Sequence, residues 1–274
     1  MLTLNSQGKT LSSSKPLIMG ILNVTPDSFY QKSRVMVISE AIDTAGKMLE
    51  EGATIIDIGG QSTRPGAVAI EASEELDRIG SIIDAVVKAF PNGFISVDTY
   101  FSEVAKEVVK AGAHIINDIS GGQYDAAMFS TIAALDVPYV VMHVNENKDD
   151  MHRIKTEASI LPVVQDFFTR TCAATNDAGI HQLILDPGFG FSKTPAQNFE
   201  IISNLSAFAS FQKPLLIGVS RKSTIYKTLG ITAAEALNGT TVLHTAAILN
   251  GASILRVHDV KEANEVVTLC SYLQ

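Results

Sequence analysis

The residues of this sequence that could do chemistry stand at the ends of short apolar runs. The polar residues that end or follow eight such runs are Asn23, Asp57, Asp98, Asn117, His143 (beside Met142), Asp186, Ser220 with Lys222, and Arg256 with His258. The three carboxylates suit hydrogen-bond donors on a ligand. Cations follow the last two runs, and Arg64 follows the second; arginine matches the geometry of phosphate oxygens. The pattern predicts a ligand with a cationic or donor-rich end and an anionic phosphate end.

The elements that must position these residues alternate along the chain. The apolar runs span residues 16–23, 53–59, 94–98, 114–119, 138–143, 182–186, 214–220 and 253–258. Each has strand length and is rich in Ile, Val and Leu, as in a buried parallel sheet. Helical patterns lie between them, for example at residues 39–51 and 79–90. Eight strand–helix pairs predict an α/β fold, a single-domain (β/α)8 TIM barrel, with a doubly wound open sheet as the alternative. We expect a polar tail at residues 1–15 and the barrel at residues 16–274.

In such a barrel the active site lies at the C-terminal ends of the strands, and loops after strands seven and eight often bind phosphate. Taken singly, each polar residue also has a structural interpretation. Asp98 could cap a helix, Asp186-Pro187-Gly188 could form a turn, and Lys222 could be solvated. The functional interpretation is favoured because all of them converge on one end of one fold.

Composition excludes several classes of function. The chain has 274 residues, with 21 Lys and Arg against 29 Asp and Glu, a formal net charge of −8. This charge disfavours binding to nucleic acid or to an anionic membrane. Cys172 and Cys270 lack CxxC spacing, which disfavours a disulfide scaffold and a Cys-rich zinc site. The sequence shows no secretory signal and no apolar run near the ~18 residues of a membrane helix, so we expect a soluble cytoplasmic protein.

Other familiar chemistries fit poorly. The sequence has no HExxH, no GxSxG and no phosphate-binding GKS, and no pair of glutamates ends the strands. A Schiff-base aldolase with Lys222 as nucleophile remains an alternative.

Seven segments in order resemble the motifs of dihydropteroate synthases. They read MGILNVTPDSF at 19–29, DIGGQSTRPG at 57–66, SVDT at 96–99, IND at 116–118, LDPGFGF at 185–191, VSRKS at 219–223 and ILRVHDV at 254–260. The resemblance spans residues 17–270, nearly the whole chain. It implies a (β/α)8 barrel that joins 4-aminobenzoate to the diphosphate of 6-hydroxymethyl-7,8-dihydropterin in folate synthesis, with release of pyrophosphate. It also implies Mg²⁺ as cofactor and a homodimer.

The resemblance implies a role for each matching residue. The pterin would be held by Asp98, Asn117, Asp186, Lys222 and Met142. The diphosphate would be held by Thr63, Arg64, Arg256 and His258, with Asn23 facing its Mg²⁺. The aminobenzoate site would be shaped by Pro65, Phe191 and Ser223, and Gly218 and Val257 would also line the substrates. The residues expected to act in catalysis are Arg64, Asp98, Lys222, Arg256 and His258, through early C–O cleavage followed by amine attack.

Two loops depart from the family pattern. Tyr30–Arg34 replaces an acidic residue and glycines, and residues 144–147 lack a usual glycine; Gln61 stands where glutamate is frequent. We expect residues 30–34 and 144–150 to be mobile when the site is empty and to lower turnover more than pterin affinity. Lys32 and Arg34 could place a cation near the diphosphate. Two alternatives remain open, a pterin-dependent methyltransferase and a non-catalytic paralogue that binds a pterin.

Overall fold

The computed structural model describes residues 1–24, 34–61, 70–145, 147–154 and 158–273. Every predicted apolar run forms a strand. After β1 (Leu2–Ser6) and β2 (Lys9–Ser13), the strands are β3 (Leu17–Asn23), β4 (Ile55–Gly59), β5 (Phe94–Asp98), β6 (Ile115–Asp118), β7 (Tyr139–Met142), β8 (Leu183–Asp186), β9 (Leu216–Ile217) and β10 (Ile254–Val257).

These eight strands, β3 to β10, form one parallel sheet in the order β8-β7-β6-β5-β4-β3-β10-β9. A parallel bridge between Leu185 and Leu215 joins the two ends of this order. The barrel prediction is confirmed, and the open-sheet alternative is wrong, because the first and last strands in the order meet.

The helices of the described residues are α1 (Arg34–Glu50), α2 (Ala72–Ala89), α3 (Ser102–Lys110), α4 (Met128–Leu135), α5 (Leu161–Asp177), α6 (Pro195–Ser203), α7 (Ser223–Leu229), α8 (Leu237–Leu249) and α9 (Val260–Cys270). Short 3-10 segments span Lys148–Asp150 and Leu205–Phe211. Helix α2 buries Ile79, Ile82, Ile83 and Val86, the positions that the sequence spacing predicts. No helix in the described part is long and apolar enough to cross a membrane; a cytoplasmic location stays a prediction.

Residue parity along the strands sorts the side chains between two apolar layers. A cluster inside the barrel contains Leu17, Met19, Ile55, Phe94, Ile115, Val140, Ile184, Leu216 and Ile254. Residues two further along a strand face the same side. The next inward positions toward the C-terminal ends are therefore Asp57, Ser96, Asn117, Met142, Asp186, Gly218 and Arg256. The cluster inside the barrel shows which alternate residues of each strand face inward. The sequence alone did not decide between the two faces.

Residues 1–15, expected as a polar tail, contain an antiparallel hairpin of β1 and β2. Leu4 is 2% exposed and joins the cluster inside the barrel, with Leu2 and Leu11 packed against it. The difference arises because alternate leucines give the hairpin an apolar face, which covers the N-terminal end of the barrel.

Candidate active site

One arginine joins three strands at the mouth of the barrel. Arg256, from β10, places Nε 2.6 Å from Asp57 Oδ2 and Nη2 2.8 Å from Asp98 Oδ2. Asn117 Nδ2 donates to the same Asp57 oxygen at 3.0 Å. The carboxylates of β4 and β5 therefore share one guanidinium, and a charge-assisted network fixes all four side chains.

Asp98 lies at the upper edge of this network. The strand register places Asn23, Gly59, Asp98 and Asn117 level with one another. Burial raises the pKa of Asp98 to about 7, Arg256 opposes the rise, and the neighbouring carboxylates Asp57 and Asp118 add to it. Asp98 is thus a carboxylate whose charge a ligand with donor groups or a positive charge would stabilise.

A second carboxylate faces a lysine across the mouth. Asp186 ends β8, and its Oδ1 accepts the Gly188 N–H at 2.7 Å. Burial raises its pKa, while Lys222 is the largest opposing influence. Lys222 donates to the Phe189 carbonyl, and its Nζ lies 4.7 Å from the centre of the Phe191 ring. Burial lowers the pKa of Lys222 to about 8, although Asp186 favours its charged form.

An apolar wall separates these polar groups from the loops. Tyr100, Ile119, Met142, Val144 and Phe191 form one buried cluster, with Met142 3% exposed. The His152 ring is stacked on Phe191 with centroids 5.6 Å apart. A flat ring could therefore lie against Met142 and Phe191 while its edge meets carboxylates, the Asn117 amide and the Lys222 ammonium.

The anionic end of the ligand has fewer defined partners. His258 is exposed at the mouth, and its Nδ1 lies 3.1 Å from Ser220 Oγ. Arg256 commits Nε and Nη2 to aspartates, and its Nη1 makes no hydrogen bond within the described residues. Gly218 places no side chain between Lys222 and Arg256. A Cβ on Gly218 would lie 3.8 Å from Lys222 Nζ and 3.8 Å from Arg256 Cβ. Ser223 begins α7, directly after Lys222.

Three motif residues face away from the mouth. Arg221 makes two 2.8 Å contacts with the Asp259 carboxylate and donates to the Ala233 and Ala234 carbonyls. Asp118 accepts from Tyr139 Oη at 2.6 Å. The Val257 side chain is fully buried between sheet and helices, so its backbone is the part that could line the substrates. Of the adjacent Arg221 and Lys222, the lysine alone serves the mouth.

Several predicted residues lie outside the described residues: Thr63, Arg64 and Pro65, the segment 30–33 and the side chain of Arg34. The segment 144–150 is described apart from residue 146. Its Asn145 Nδ2 donates to the Asp150 and Arg153 carbonyls, and Lys148 Nζ lies 4.6 Å from the Tyr100 ring centre. That the departing loops are mobile stays a prediction.

A Mg²⁺ ion would find few protein ligands at this mouth. The residues that the structure describes include no group of three His, Cys, Asp or Glu side chains able to hold a metal. Asn23 is exposed, and a Cβ on Gly59 would lie 3.6 Å from Asn23 Oδ1 and 3.8 Å from Asp98 Oδ2. One or two oxygen ligands fit Mg²⁺ when substrate phosphates supply the rest.

Sequence reasoning missed parts of this site. Asp57 was recognised as a strand end but was given no role, although its parity with Ile55 marks it as inward. Tyr100 and Lys193 were not recognised. A lysine after a glycine-rich turn is usually solvated, and nothing in the local sequence signals that Lys193 is 6% exposed.

Comparisons with known proteins agree with this geometry. The family profile described as "Pterin binding enzyme" matches residues 19–258. The chain is 40% identical over 264 residues to dihydropteroate synthase of Escherichia coli (strain K12), covering 96% of this chain and 93% of that protein. It is 37% identical over 270 residues to the Streptococcus pyogenes serotype M6 enzyme, covering 97% and 98%.

Solved structures are equally similar. Yersinia pestis dihydropteroate synthase in a sulfonamide drug complex superposes with a TM-score of 0.91, at 38% identity and 99% coverage of both chains. Xanthomonas albilineans dihydropteroate synthase with 4-aminobenzoic acid gives a TM-score of 0.91, at 35% identity, with 99% of this chain and 98% of that chain covered.

Proposed function

The chain belongs to the dihydropteroate synthase family of pterin binding enzymes, and from this premise we propose how its barrel mouth carries out the family reaction. The reaction is a transfer that forms a C–N bond: 4-aminobenzoate joins the diphosphate of 6-hydroxymethyl-7,8-dihydropterin, and pyrophosphate leaves. The observation that carries the assignment of roles is the convergence of Asp98, Asn117, Asp186 and Lys222 on the barrel mouth, beside an apolar wall.

In this proposal the pterin ring lies against Met142. Its amino and amide N–H groups donate to Asp186 and Asp98, and Asn117 and Lys222 complete the polar edge. Asp98 keeps its contact with Arg256 while it binds, because each carboxylate offers about four lone-pair sites. An aspartate whose pKa is raised by burial becomes ionised when ligand donors replace the lost water.

The diphosphate lies toward β10. His258, Arg256 Nη1 and the side chains of Thr63 and Arg64 would bind its oxygens, and Asn23 would hold the Mg²⁺ that accompanies it. When bound, Mg²⁺ supplies positive charge that stabilises pyrophosphate as a leaving group. The cations of the protein do the same, since they face the oxygens on which charge grows.

The bond changes follow from this placement. The C–O bond to the diphosphate breaks first, and its electron pair leaves with pyrophosphate. The carboxylates of Asp98 and Asp186 stabilise the resulting pterin cation. The amino nitrogen of 4-aminobenzoate, seated by Pro65, Phe191 and Ser223, then attacks the methylene carbon, and the proton that it loses passes to solvent water.

A homodimer is the assembly we propose. On α8 and α9, Val242 is 59% exposed and Leu269 is 67% exposed. Tyr272 and Leu273, at 83% and 67% exposed, follow α9. Exposed apolar side chains on two neighbouring helices support burial against a second copy. The other partners are the two small substrates.

The direct test measures pyrophosphate release by the purified chain with both substrates and Mg²⁺. We expect turnover in the wild type. Asp186→Asn should weaken pterin binding about tenfold to a hundredfold, since it removes charge-assisted hydrogen bonds. The matched control is Asp166→Asn, because Asp166 is exposed on α5 and contacts only Arg170 among the described side chains.

Three results would contradict the proposal. Pterin binding without pyrophosphate release would identify a non-catalytic paralogue. Methyl transfer to or from a bound pterin would identify the methyltransferase alternative. Wild-type pterin affinity in folded Asp186→Asn would remove Asp186 from the site.

A further inference from the structure

A fully enclosed lysine lies beneath the mouth, and the mechanism above does not use it. Lys193 is 6% exposed. Its Nζ lies 3.3 Å from the His143 carbonyl, 3.0 Å from the Gly188 carbonyl and 3.1 Å from the Phe191 carbonyl. An ammonium has three N–H donors, and each finds one acceptor here. One cation therefore joins the end of β7 to the loop that follows β8.

The backbone groups that Lys193 joins are close to those that hold the Asp186 carboxylate in position. The Gly188 N–H donates to Asp186 Oδ1 at 2.7 Å, and the His143 N–H donates to the Asp186 carbonyl at 2.9 Å. The backbone at Gly188 passes very close to the backbone at His143, because a Cβ on Gly188 would lie 2.0 Å from the His143 carbonyl oxygen. The same loop carries Phe191, which faces Lys222. A shift of this loop would move both the carboxylate and the ring.

The charges around Lys193 are few and opposed. Asp186 favours its charged form and Lys222 disfavours it, and burial lowers the pKa of Lys193 to about 7. The cations Lys222, Lys193 and Arg256 each lower the pKa of Asp186. The His143 imidazole is also buried. Burial and the nearby Lys193 lower the pKa of His143, so the imidazole stays neutral. Asp186 thus has two lysines nearby, Lys222 and the more deeply buried Lys193.

We propose that Lys193 is a positioning residue for pterin binding: it holds the loop after β8 in register with β7 and supplies a buried positive charge that keeps Asp186 ionised. This role rests on the proposed function of Asp186 as a pterin acceptor. A buried cation is costly to retain, and an apolar side chain would fill the same space without that cost but could do neither task.

The first test compares the dissociation constant of 6-hydroxymethylpterin, measured by calorimetry from pH 6 to pH 8.5, in the wild type, Lys193→Met and Lys193→Gln. At pH 6, where wild-type Lys193 is charged, we expect both variants to bind about tenfold more weakly, because one pKa unit of interaction is a factor of ten. Toward pH 8.5 the wild-type lysine loses charge, so the part of the difference that comes from charge should shrink, while the part that comes from the three carbonyl contacts should remain. Lys88→Met, on the exposed side of α2, is the control and should match the wild type.

A ratio of dissociation constants that stays the same at every pH would overturn the charge role, since a purely structural residue acts equally at all of them. The second test needs no ligand. Lys193→Met should speed hydrogen exchange of the Gly188 amide, whose acceptor is the Asp186 carboxylate. Unchanged exchange would overturn the positioning role, and it would do so even if the wild type bound no pterin. Lys193→Gln keeps two donors and serves if Lys193→Met does not fold.

Discussion

Glu75, on α2, is a buried acid close to Asp98. It is 1% exposed, and its Oε2 accepts from Thr99 Oγ1 at 2.7 Å. Burial raises its pKa from 4.5 to about 7, and Asp98 adds to the rise. An acid with a raised folded-state pKa disfavours ionisation, so it costs stability as pH rises from its unfolded pKa through its folded pKa.

Glu75→Gln should therefore stabilise the protein at pH 8 by at most about 3 kcal/mol, and should give no gain near pH 4.5. The amide oxygen of glutamine can still accept from Thr99, so the packing is kept. Urea unfolding at the two pH values measures the difference. Asp84→Asn is the control, because Asp84 is an exposed acid on the same helix. Equal effects of Glu75→Gln at both pH values would contradict this account.

At the scale of single residues, the sequence predicted placement better than environment. The structure brings Asp98, Asn117, Asp186 and Arg256 to one end of the barrel, as polar residues that close apolar runs predict, and their roles toward the substrates stay predictions. Glu75 and Lys193 were not identified, because their properties come from desolvation by distant parts of the chain. Type and spacing do not show how deeply a glutamate or lysine is buried.

The N-terminal hairpin packs on the end of the barrel away from the mouth, so we expect it to contribute to stability and not to binding. Leu4 packs inside the barrel at the end away from the mouth. We expect Leu4→Ala to lower the free energy of unfolding by about 2–4 kcal/mol, the usual cost of emptying a buried leucine site. Pterin affinity of the folded variant should be unchanged, because the cavity lies at the opposite end of the strands from Asp98 and Asp186.

Thr3→Ala is the matched control, since Thr3 is the exposed neighbour on the same strand and bonds only to Ser12 among the described side chains. Chemical denaturation followed by circular dichroism measures both variants. A loss of pterin affinity in Leu4→Ala equal to its loss of stability would show instead that the hairpin and the site are coupled.

At the scale of elements, apolar runs of five to eight residues predicted every barrel strand, because buried parallel strands are continuous in Ile, Val and Leu. The hairpin was missed, since its short strands alternate leucine with Ser, Thr and Asn and resemble a polar tail.

The turn after β9 shows a different limit of sequence-based prediction. Arg221 and Lys222 are neighbours of the same charge, yet Arg221 binds Asp259 outside the barrel and Lys222 faces Asp186 at the mouth. Arg221 has a φ of 52°, and this left-handed backbone is not visible in the sequence.

For the whole molecule, the proposed dimer can be tested without disturbing the site. Leu269→Arg combined with Val242→Arg places two charges on the exposed apolar surface of α8 and α9. We expect the protein to sediment as a monomer and to keep its pterin affinity, because burying unpaired charges in an interface is unfavourable. Val163→Arg is the control, as Val163 is 43% exposed on α5. A wild type that sediments as a monomer would contradict the dimer proposal.

The salt bridge between Arg256 and Asp57 joins residues 199 positions apart. Its arginine is on the last strand, so during synthesis the two aspartates exist long before their counter-ion. A nascent chain that ends before β10 lacks the guanidinium that joins β4 to β5 in the finished barrel. It also lacks the strand that lies between β3 and β9, so the sheet has no closed order. One late strand thus completes both the barrel and its charge network, and we expect the mouth to reach its final electrostatic state only when the whole chain has been made.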